Sequence, residues 1–180
     1  MPALSTTSEL ADRLLGERIV LLARELDDDV AAETCARLIL LAAEDPRREM
    51  TLQVLSPGGS PVAAMAVHDT IRALGVDVVT VAIGSLAGPV PFLVASGTAG
   101  KRFALPHAAF LPSADGQARG AHPGDVRVRA DHLTRRREEI DTLTATYCGR
   151  ALPDDARDRW LSAADAVSLG LVDHVRGSDS

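Results

Sequence analysis

The sequence predicts an α/β fold, and two features of its pattern lead to that prediction. Three short runs rich in Val, Ile and Leu, at residues 19–22, 50–55 and 76–83, are typical of strands buried on both faces. Two stretches with helical periodicity, at residues 30–43 and 62–74, separate these runs. Strands that alternate with helices usually form a parallel sheet covered by those helices, which places the chain in the α/β class.

The two helical stretches rest on different signals. In the first, Leu38, Ile39 and Leu41 recur at helical spacing. The second has a marked start, because Ser60 can accept an N–H as the N-cap and Pro61 suits the first helical position. We therefore expect the second helix to be entered through these two residues.

A longer helical pattern covers residues 126–147. Gly149 ends it, and its apolar side chains recur every seven residues at Val126, Leu133, Ile140 and Tyr147. At 1.5 Å per residue such a helix would be about 33 Å long. Its narrow apolar stripe suits packing against one other helix, such as one from a partner chain, better than covering a broad core. A helix that lies on its own domain is the alternative.

Length and charge exclude several functions. A chain of 180 residues suffices for one domain with a substantial core but not for two ordinary domains. The net charge of -6 and the pI near 5.3 argue against a nucleic-acid partner, which requires a clustered basic surface. Arg135, Arg136 and Arg137 form a basic run, but acidic residues follow at once, so we interpret it as a solvated helix face.

The N-terminal segment and the cysteines bear on location. Residues 1–15 lack an apolar run of signal-peptide length, so we do not expect secretion. Residues 78–100 are uncharged, but glycines and prolines interrupt them, so we expect a strand, a turn and a buried helix there and no membrane association. Cys35 and Cys148 have no second cysteine or histidine at metal-ligand spacing. We expect reduced, structural thiols, no metal and a cytoplasmic protein.

Six short motifs follow one another along the chain. They are Leu-Gly-Glu-Arg-Ile-Val at residues 15–20, Ala-Glu-Asp-Pro at 43–46, Leu-Ser-Pro-Gly-Gly-Ser at 55–60, Gly-Lys-Arg-Phe-Ala-Leu-Pro at 100–106, Leu-Ser-Ala-Ala-Asp-Ala at 161–166 and Leu-Gly-Leu-Val-Asp at 169–173. Each motif alone is weak, but so many in one register rarely arise by chance. From about Leu14 to the C-terminus, the chain resembles ClpP, the proteolytic subunit of the ATP-dependent Clp protease.

The resemblance implies an architecture and partners. It predicts a spiral of strand-strand-helix units, of the ClpP and crotonase type, in a single domain over residues 1–180. The head would span about residues 14–112 and 150–180, and a projecting handle strand and helix about 113–149. ClpP subunits form heptameric rings that stack through their handles, so the resemblance implies a homo- or hetero-oligomer of ClpP-type subunits. It implies no cofactor.

The resemblance also indicates where catalytic residues should lie. In ClpP the nucleophile stands in a segment of the form Gly-x-x-x-Ser-x-x-x-Phe, and this chain has Gly88 at the serine position. The position that matches the histidine is Ser113, and Asp154 or Asp155 stands nearest to that of the aspartate. Acyl transfer needs a nucleophile and a base, so the triad is predicted not to be intact. His107, six residues before Ser113, could replace the base only with a rearranged backbone.

The oxyanion hole points the same way. In the family one donor is a backbone N–H of the Ser-Pro-Gly-Gly turn, where Gly58 could still donate. The second donor belongs to the residue after the serine, which is Pro89 here and has no N–H. Losing one such donor costs about 100- to 1,000-fold in rate, and losing the nucleophile or base about a millionfold. We therefore predict a catalytically inactive ClpP-like subunit with a structural or regulatory role in a ring assembly.

Two enzymatic alternatives remain. An active serine peptidase would need a non-standard site, with Ser85 or Ser113 as nucleophile, and the sequence places no base near either. A crotonase-like acyl-CoA enzyme would need a glutamate at the corner that Gly88 occupies.

The surface that would meet a Clp ATPase also departs from the family. ClpP subunits usually present tyrosines to the docking pocket from the strand before the Ser-Pro-Gly-Gly turn, where this chain has Thr51 and Gln53. We expect a ring of this subunit alone to dock an ATPase poorly, so that any ATPase contact would run through a partner ring.

Overall fold

Two sheets organise the chain in a computed structural model that describes residues 6–112 and 126–177. The larger sheet is entirely parallel, with the strand order β1-β2-β3-β5-β8. In the smaller one, β4 runs parallel to β6 and β6 runs antiparallel to β7. The strands are β1 Ile19–Leu22, β2 Met50–Val54, β3 Val78–Ala82, β4 Ser85–Gly88, β5 Arg102–Ala104, β6 Ala109–Pro112, β7 Leu161–Ser162 and β8 His174–Val175.

The helices alternate with these strands as the sequence predicts, and the α/β class is confirmed. They are α1 Thr6–Gly16, α2 Asp28–Glu44, α3 Pro61–Ala73, α4 Val90–Ala95, α5 Val126–Cys148 and α6 Ala163–Leu169, with a 3₁₀ turn at Asp154–Arg157.

The predicted boundaries agree with the structure where a local signal is present. The Ser60 hydroxyl accepts the N–H of Ala63, and Pro61 is the first residue of α3, as predicted. Helix α2 begins two residues earlier than predicted because the side chain of Asp27 accepts the N–H of Val30 and caps it. The strand predicted at residues 76–83 is shorter, at Val78–Ala82.

Helix α4 lies at the buried centre of the fold. All six of its residues are buried, and it packs against β3, β4, β5, β6, α3 and α5. The hydroxyl of Thr80 on β3 donates to the carbonyl of Val94 at 2.7 Å, which ties the helix to the larger sheet. This packing holds the N-terminal end of α4 where β4 ends.

The long predicted helix is present as α5, and Gly149 follows it with a φ of +71°. Its C-terminal half packs on α3 and α4, with Ile140 and Thr144 buried. Residues 130–139 are exposed or half-buried. The C-terminal half of the stripe therefore lies on its own domain, the alternative that the sequence left open.

None of the helices in the described ranges is long and apolar enough to cross a bilayer.

Candidate active site

Strand β4 ends at Gly88 in a sharp left-handed corner. The φ of Gly88 is +63°, and α4 begins two residues later. An L-residue adopts this backbone only at a cost of about 1–2 kcal/mol. A strained strand-to-helix turn of this kind is how several hydrolases expose a nucleophilic side chain. Gly88 keeps the corner, and it carries no side chain.

The first turn of α4 supplies few donors to this corner. Pro89 is the N-cap residue and Pro91 lies within the first turn, and neither has a backbone N–H. The free N–H groups of a helix start would otherwise stabilise a developing oxyanion there. The corner therefore has no backbone N–H at Pro89 or Pro91 and no side chain at Gly88.

The Ser-Pro-Gly-Gly turn lies directly against the same corner. A Cβ placed on Gly58 would be 3.7 Å from the carbonyl oxygen of Ala87, the residue before Gly88. The carbonyl of Gly58 accepts from the N–H of Leu26 at 2.9 Å and from the hydroxyl of Ser56 at 3.0 Å. Its N–H donates to the Ser56 hydroxyl oxygen at 3.5 Å, a long and therefore weak hydrogen bond.

Strand β6 brings the next site position to the corner. In the parallel pair of β4 and β6, Gly88 lies opposite Pro112. Ser113 is the next residue and lies outside the described ranges. The 3₁₀ turn that contains Asp154 and Asp155 packs against β6. The strand ends and the turn therefore converge at one end of the smaller sheet.

A small cavity of about 20 Å³ opens beside Gly88, with room for about one water molecule. Much of its wall is apolar, and its polar groups include an ion pair in which Arg157 Nη1 lies 2.7 Å from Asp141 Oδ2. The lining residues are Gly88, Phe92, Pro112, Ile140, Asp141, Thr144, Leu152 and Arg157.

The 3₁₀ turn thus presents Arg157 to the cavity, and neither Asp154 nor Asp155 lines it. Both carboxylates are exposed, and Asp155 pairs with Arg159 at 3.3 Å. Sequence reasoning missed the pair of Asp141 and Arg157. The two residues are 16 positions apart and belong to different elements, so no local spacing could reveal their contact.

No histidine in the described ranges lines the cavity. His107 is exposed in the turn that precedes β6, at the opposite end of that strand from Pro112. Four strand residues span about 13 Å, so His107 cannot act at the corner from there. Ser85, which the sequence offers as a substitute nucleophile, is exposed at the start of β4 and lies about 10 Å from Gly88.

A hydroxyl, an imidazole and a carboxylate do meet behind α4. The Tyr147 hydroxyl lies 2.7 Å from His68 Nε2, and His68 Nδ1 lies 2.9 Å from Asp69 Oδ1. The His68 ring is buried and lies 5.0 Å from the ring of Phe92. Burial raises the pKa of Tyr147, which opposes the deprotonation that a nucleophile requires.

Two residues of β2 lie where the family resemblance places the ATPase-docking surface. Thr51 and Gln53 are half-buried on one face of β2.

The two cysteines lie in different surroundings. Burial raises the pKa of Cys148 to about 11, and Cys35 accepts from the hydroxyl of Thr70 at 3.2 Å. Among the described residues, no three His, Cys, Asp or Glu side chains are grouped to hold a metal ion.

These features define a class. A strand that ends in a left-handed glycine, a buried helix and a facing glycine-rich turn form the framework of a serine-type acyl hydrolase, and Gly88 stands at its corner.

The Clp protease family model matches residues 4–179, and the chain belongs to that family. The chain is 38% identical to ATP-dependent Clp protease proteolytic subunit 2 of Nocardia farcinica, over 96% of this chain and 87% of that protein. It is 40% identical to subunit 2 of Mycolicibacterium paratuberculosis, over 96% and 88%. It is 39% identical to subunit 1 of Corynebacterium jeikeium, over 91% and 89%.

The comparisons confirm the family and the ClpP fold that the sequence motifs indicated. The expected start of the resemblance, near Leu14, was too late, because the match begins at residue 4 and includes α1. The chain resembles proteolytic subunits 1 and 2 to similar degrees.

Proposed function

We propose that this chain is a ClpP-type subunit without peptidase activity of its own, with a structural or regulatory role in a ring of ClpP-type subunits. The observation that carries the proposal is the corner at Gly88. It retains the backbone of a nucleophile site, but it has neither a side chain at Gly88 nor an N–H at Pro89.

The magnitudes favour inactivity over weak activity. Loss of a triad nucleophile or base lowers the rate about a millionfold, and loss of an oxyanion donor lowers it about 100- to 1,000-fold. Ser113 stands at the position that matches the family histidine, so the site would also lack the general base. The triad counterpart would be Asp154 or Asp155, and the remaining oxyanion donor would be Gly58.

We further propose a single domain over residues 1–180, with the head at about 14–112 and 150–180 and the handle at about 113–149. Such a subunit can complete a ring, because ring closure uses a head-to-tail contact that any related subunit can provide. The relatives are named as proteolytic subunits 1 and 2, which supports assembly with a second kind of subunit. The assembly would be a heptameric ring, stacked in pairs, in the cytoplasm, with a Clp ATPase bound through a partner ring.

The test combines native mass measurement with peptide turnover. The complex purified from the source cells should contain this chain together with an active ClpP-type subunit. The isolated chain should not cleave a fluorogenic peptide, and mixing it with the active subunit should change the cleavage rate. A matched mixture in which the active subunit lacks its own nucleophile controls for contaminating protease. Turnover that persists in that control identifies a contaminating protease. Turnover by the isolated chain that Ser85→Ala or Ser113→Ala abolishes would contradict the proposal.

The competing enzymatic proposal, a serine peptidase with a non-standard site, has a direct test. A fluorophosphonate probe should label neither Ser85 nor Ser113 in the folded chain. Ser85→Ala and Ser113→Ala serve as matched controls, because labelling that disappears in one of them would identify the nucleophile and overturn the inactive assignment.

A further inference from the structure

Helix α5 is attached to the head at one end. Ile140 and Thr144 are buried, Leu143 and Tyr147 are half-buried, and the described residues before Ile140 are exposed or half-buried. The helix has 23 residues and is therefore about 35 Å long. A tilt of ten degrees at its base would move the far end by about 6 Å, more than an interface tolerates.

The last turn of α5 is held to α3 by a directed hydrogen bond. The carboxylate of Asp69 can only accept, so His68 donates to it through Nδ1, and in the neutral imidazole this tautomer has a lone pair on Nε2. The Tyr147 hydroxyl donates to this nitrogen at 2.7 Å. The pKa of Tyr147 is raised by burial, which keeps the hydroxyl protonated and able to donate.

The same residue is held from the other side by the larger sheet. Arg102 Nη1 donates to the carbonyl of Tyr147 at 3.1 Å. The guanidinium is fixed in turn by Asp173, to which Arg102 Nε donates at 2.9 Å and Nη2 at 2.5 Å. Arg102 is only 7% exposed, so its orientation depends on this pair.

We infer that these five residues, Asp69, His68, Tyr147, Arg102 and Asp173, form an anchor that sets the angle at which α5 leaves the head. The anchor joins α3, α5, β5 and the segment before β8 through a single residue, Tyr147. Apolar contacts at Ile140 and Leu143 also hold the helix against the domain, but they are non-directional and permit rocking. The ion pair of Asp141 with Arg157 is directed, but it is partly exposed and therefore weak. Hydrogen bonds on two sides of Tyr147 restrict that rocking.

The anchor has a consequence for assembly, and this part rests on the proposed function. A partner subunit that pairs with α5 contacts its N-terminal end, and the anchor at the C-terminal end determines where that end lies. Weakening the anchor should therefore lower assembly with the partner while the head stays folded.

The experiment measures the angle directly. Spin labels are placed at two exposed positions, Glu44 at the end of α2 and His132 on α5, through a non-natural ketone amino acid that leaves the native cysteines intact. Labelled chain is diluted with unlabelled chain in the native assembly, so that only distances within one subunit are read. Tyr147→Phe removes only the hydroxyl. It should broaden or shift the distance distribution by about 3–6 Å, corresponding to a tilt of several degrees.

Two variants complete the design. His68→Phe keeps an aromatic ring in place and should reproduce the effect of Tyr147→Phe. Thr146→Ala removes a hydroxyl of α5 that bonds only to the carbonyl of Thr142, and it should leave the distribution unchanged. An unchanged distribution in a folded Tyr147→Phe variant, or an equal change in Thr146→Ala, would overturn the inference.

Native mass measurement on the same samples separates the two proposals. A shifted distribution with undiminished assembly overturns the consequence for assembly and leaves the anchor standing. If the wild-type chain assembles with no ClpP-type subunit, the proposed function fails. In that case the spin-label distances still test whether the anchor sets the angle of α5.

Discussion

The Ser-Pro-Gly-Gly turn and the Gly88 corner lie against each other, but they differ in the chemical groups that they contain. In the turn, the N–H of Gly58 is present and makes a long 3.5 Å hydrogen bond to the Ser56 oxygen. The corner has a left-handed backbone, with no side chain at Gly88 and no N–H at Pro89. The comparison shows that the packing of α4 and β4 fixes the backbone of the corner without any side chain at Gly88.

The largest expected effect tests the missing donor. In a chain that carries Gly88→Ser and Ser113→His, adding Pro89→Ala should raise kcat for a fluorogenic peptide by about 100- to 1,000-fold, because it restores one oxyanion donor. Pro91→Ala in the same background is the control, since that residue does not follow the nucleophile position directly. Equal rates for Pro89→Ala and Pro91→Ala would show that the corner does not form an oxyanion hole.

The two glycines of the turn should differ in their tolerance of a side chain. A Cβ on Gly59 would lie 2.2 Å from the carbonyl oxygen of Leu26, whereas one on Gly58 would meet nothing closer than 3.7 Å. The two residues have φ values of +149° and +143°, so backbone strain is common to both and the clash with Leu26 is the difference. Gly59→Ala should therefore lower the free energy of unfolding by about 3 kcal/mol and Gly58→Ala by about 1 kcal/mol. Urea denaturation measures both. Equal losses would mean that the turn is free to shift away from Leu26.

Acid should lower the free energy of unfolding by protonating Asp173, which lies outside both the turn and the corner. Burial raises the pKa of Asp173, but the hydrogen bonds from Arg102 outweigh it, and the net pKa lies below its usual range. The stability from this carboxylate is therefore present above its unfolded pKa of about 3.9 and is lost as the pH falls through the lower folded value.

Asp173→Asn should accordingly lower the free energy of unfolding by about 2 kcal/mol at pH 7. It should also flatten the loss of stability below about pH 4, as thermal melts across pH would report. Asp77→Asn at an exposed ion pair is the matched control and should change stability much less. If stability falls as steeply with pH in Asp173→Asn as in the wild-type chain, groups other than Asp173 cause the loss of stability in acid.

The smallest expected effect concerns the backbone of the corner. Gly88→Ala should lower the free energy of unfolding by about 1 kcal/mol, because φ is +63° and the left-handed cost is partly offset by a less flexible unfolded chain. Gly75 has a φ of +65° and open space around a Cβ, so Gly75→Ala isolates the same strain at a position remote from the site. A much larger loss for Gly88→Ala would show that the corner is too crowded for any side chain.

The fold could be predicted where local signals coincide with tertiary packing. The apolar run of β1 and the cap of α3 at Ser60 gave boundaries that the structure confirms. The smaller sheet was not predicted, because β4 has the sequence Ser-Leu-Ala-Gly and only pairing with β6 makes it a strand. The positions of Gly88 and Gly58 came from the family motifs, whereas their contact through Ala87 required the three-dimensional structure.

The burial of α4 carries an evolutionary implication. Val90–Ala95 contribute their side chains to the core, so natural selection on folding maintains this helix whether or not residue 88 reacts. A subunit of this fold could therefore change the residue at the corner and still keep the buried helix that follows it. Duplicated copies of a self-assembling protease thus have an accessible route to specialisation, in which one copy retains the reaction and the other is released from it.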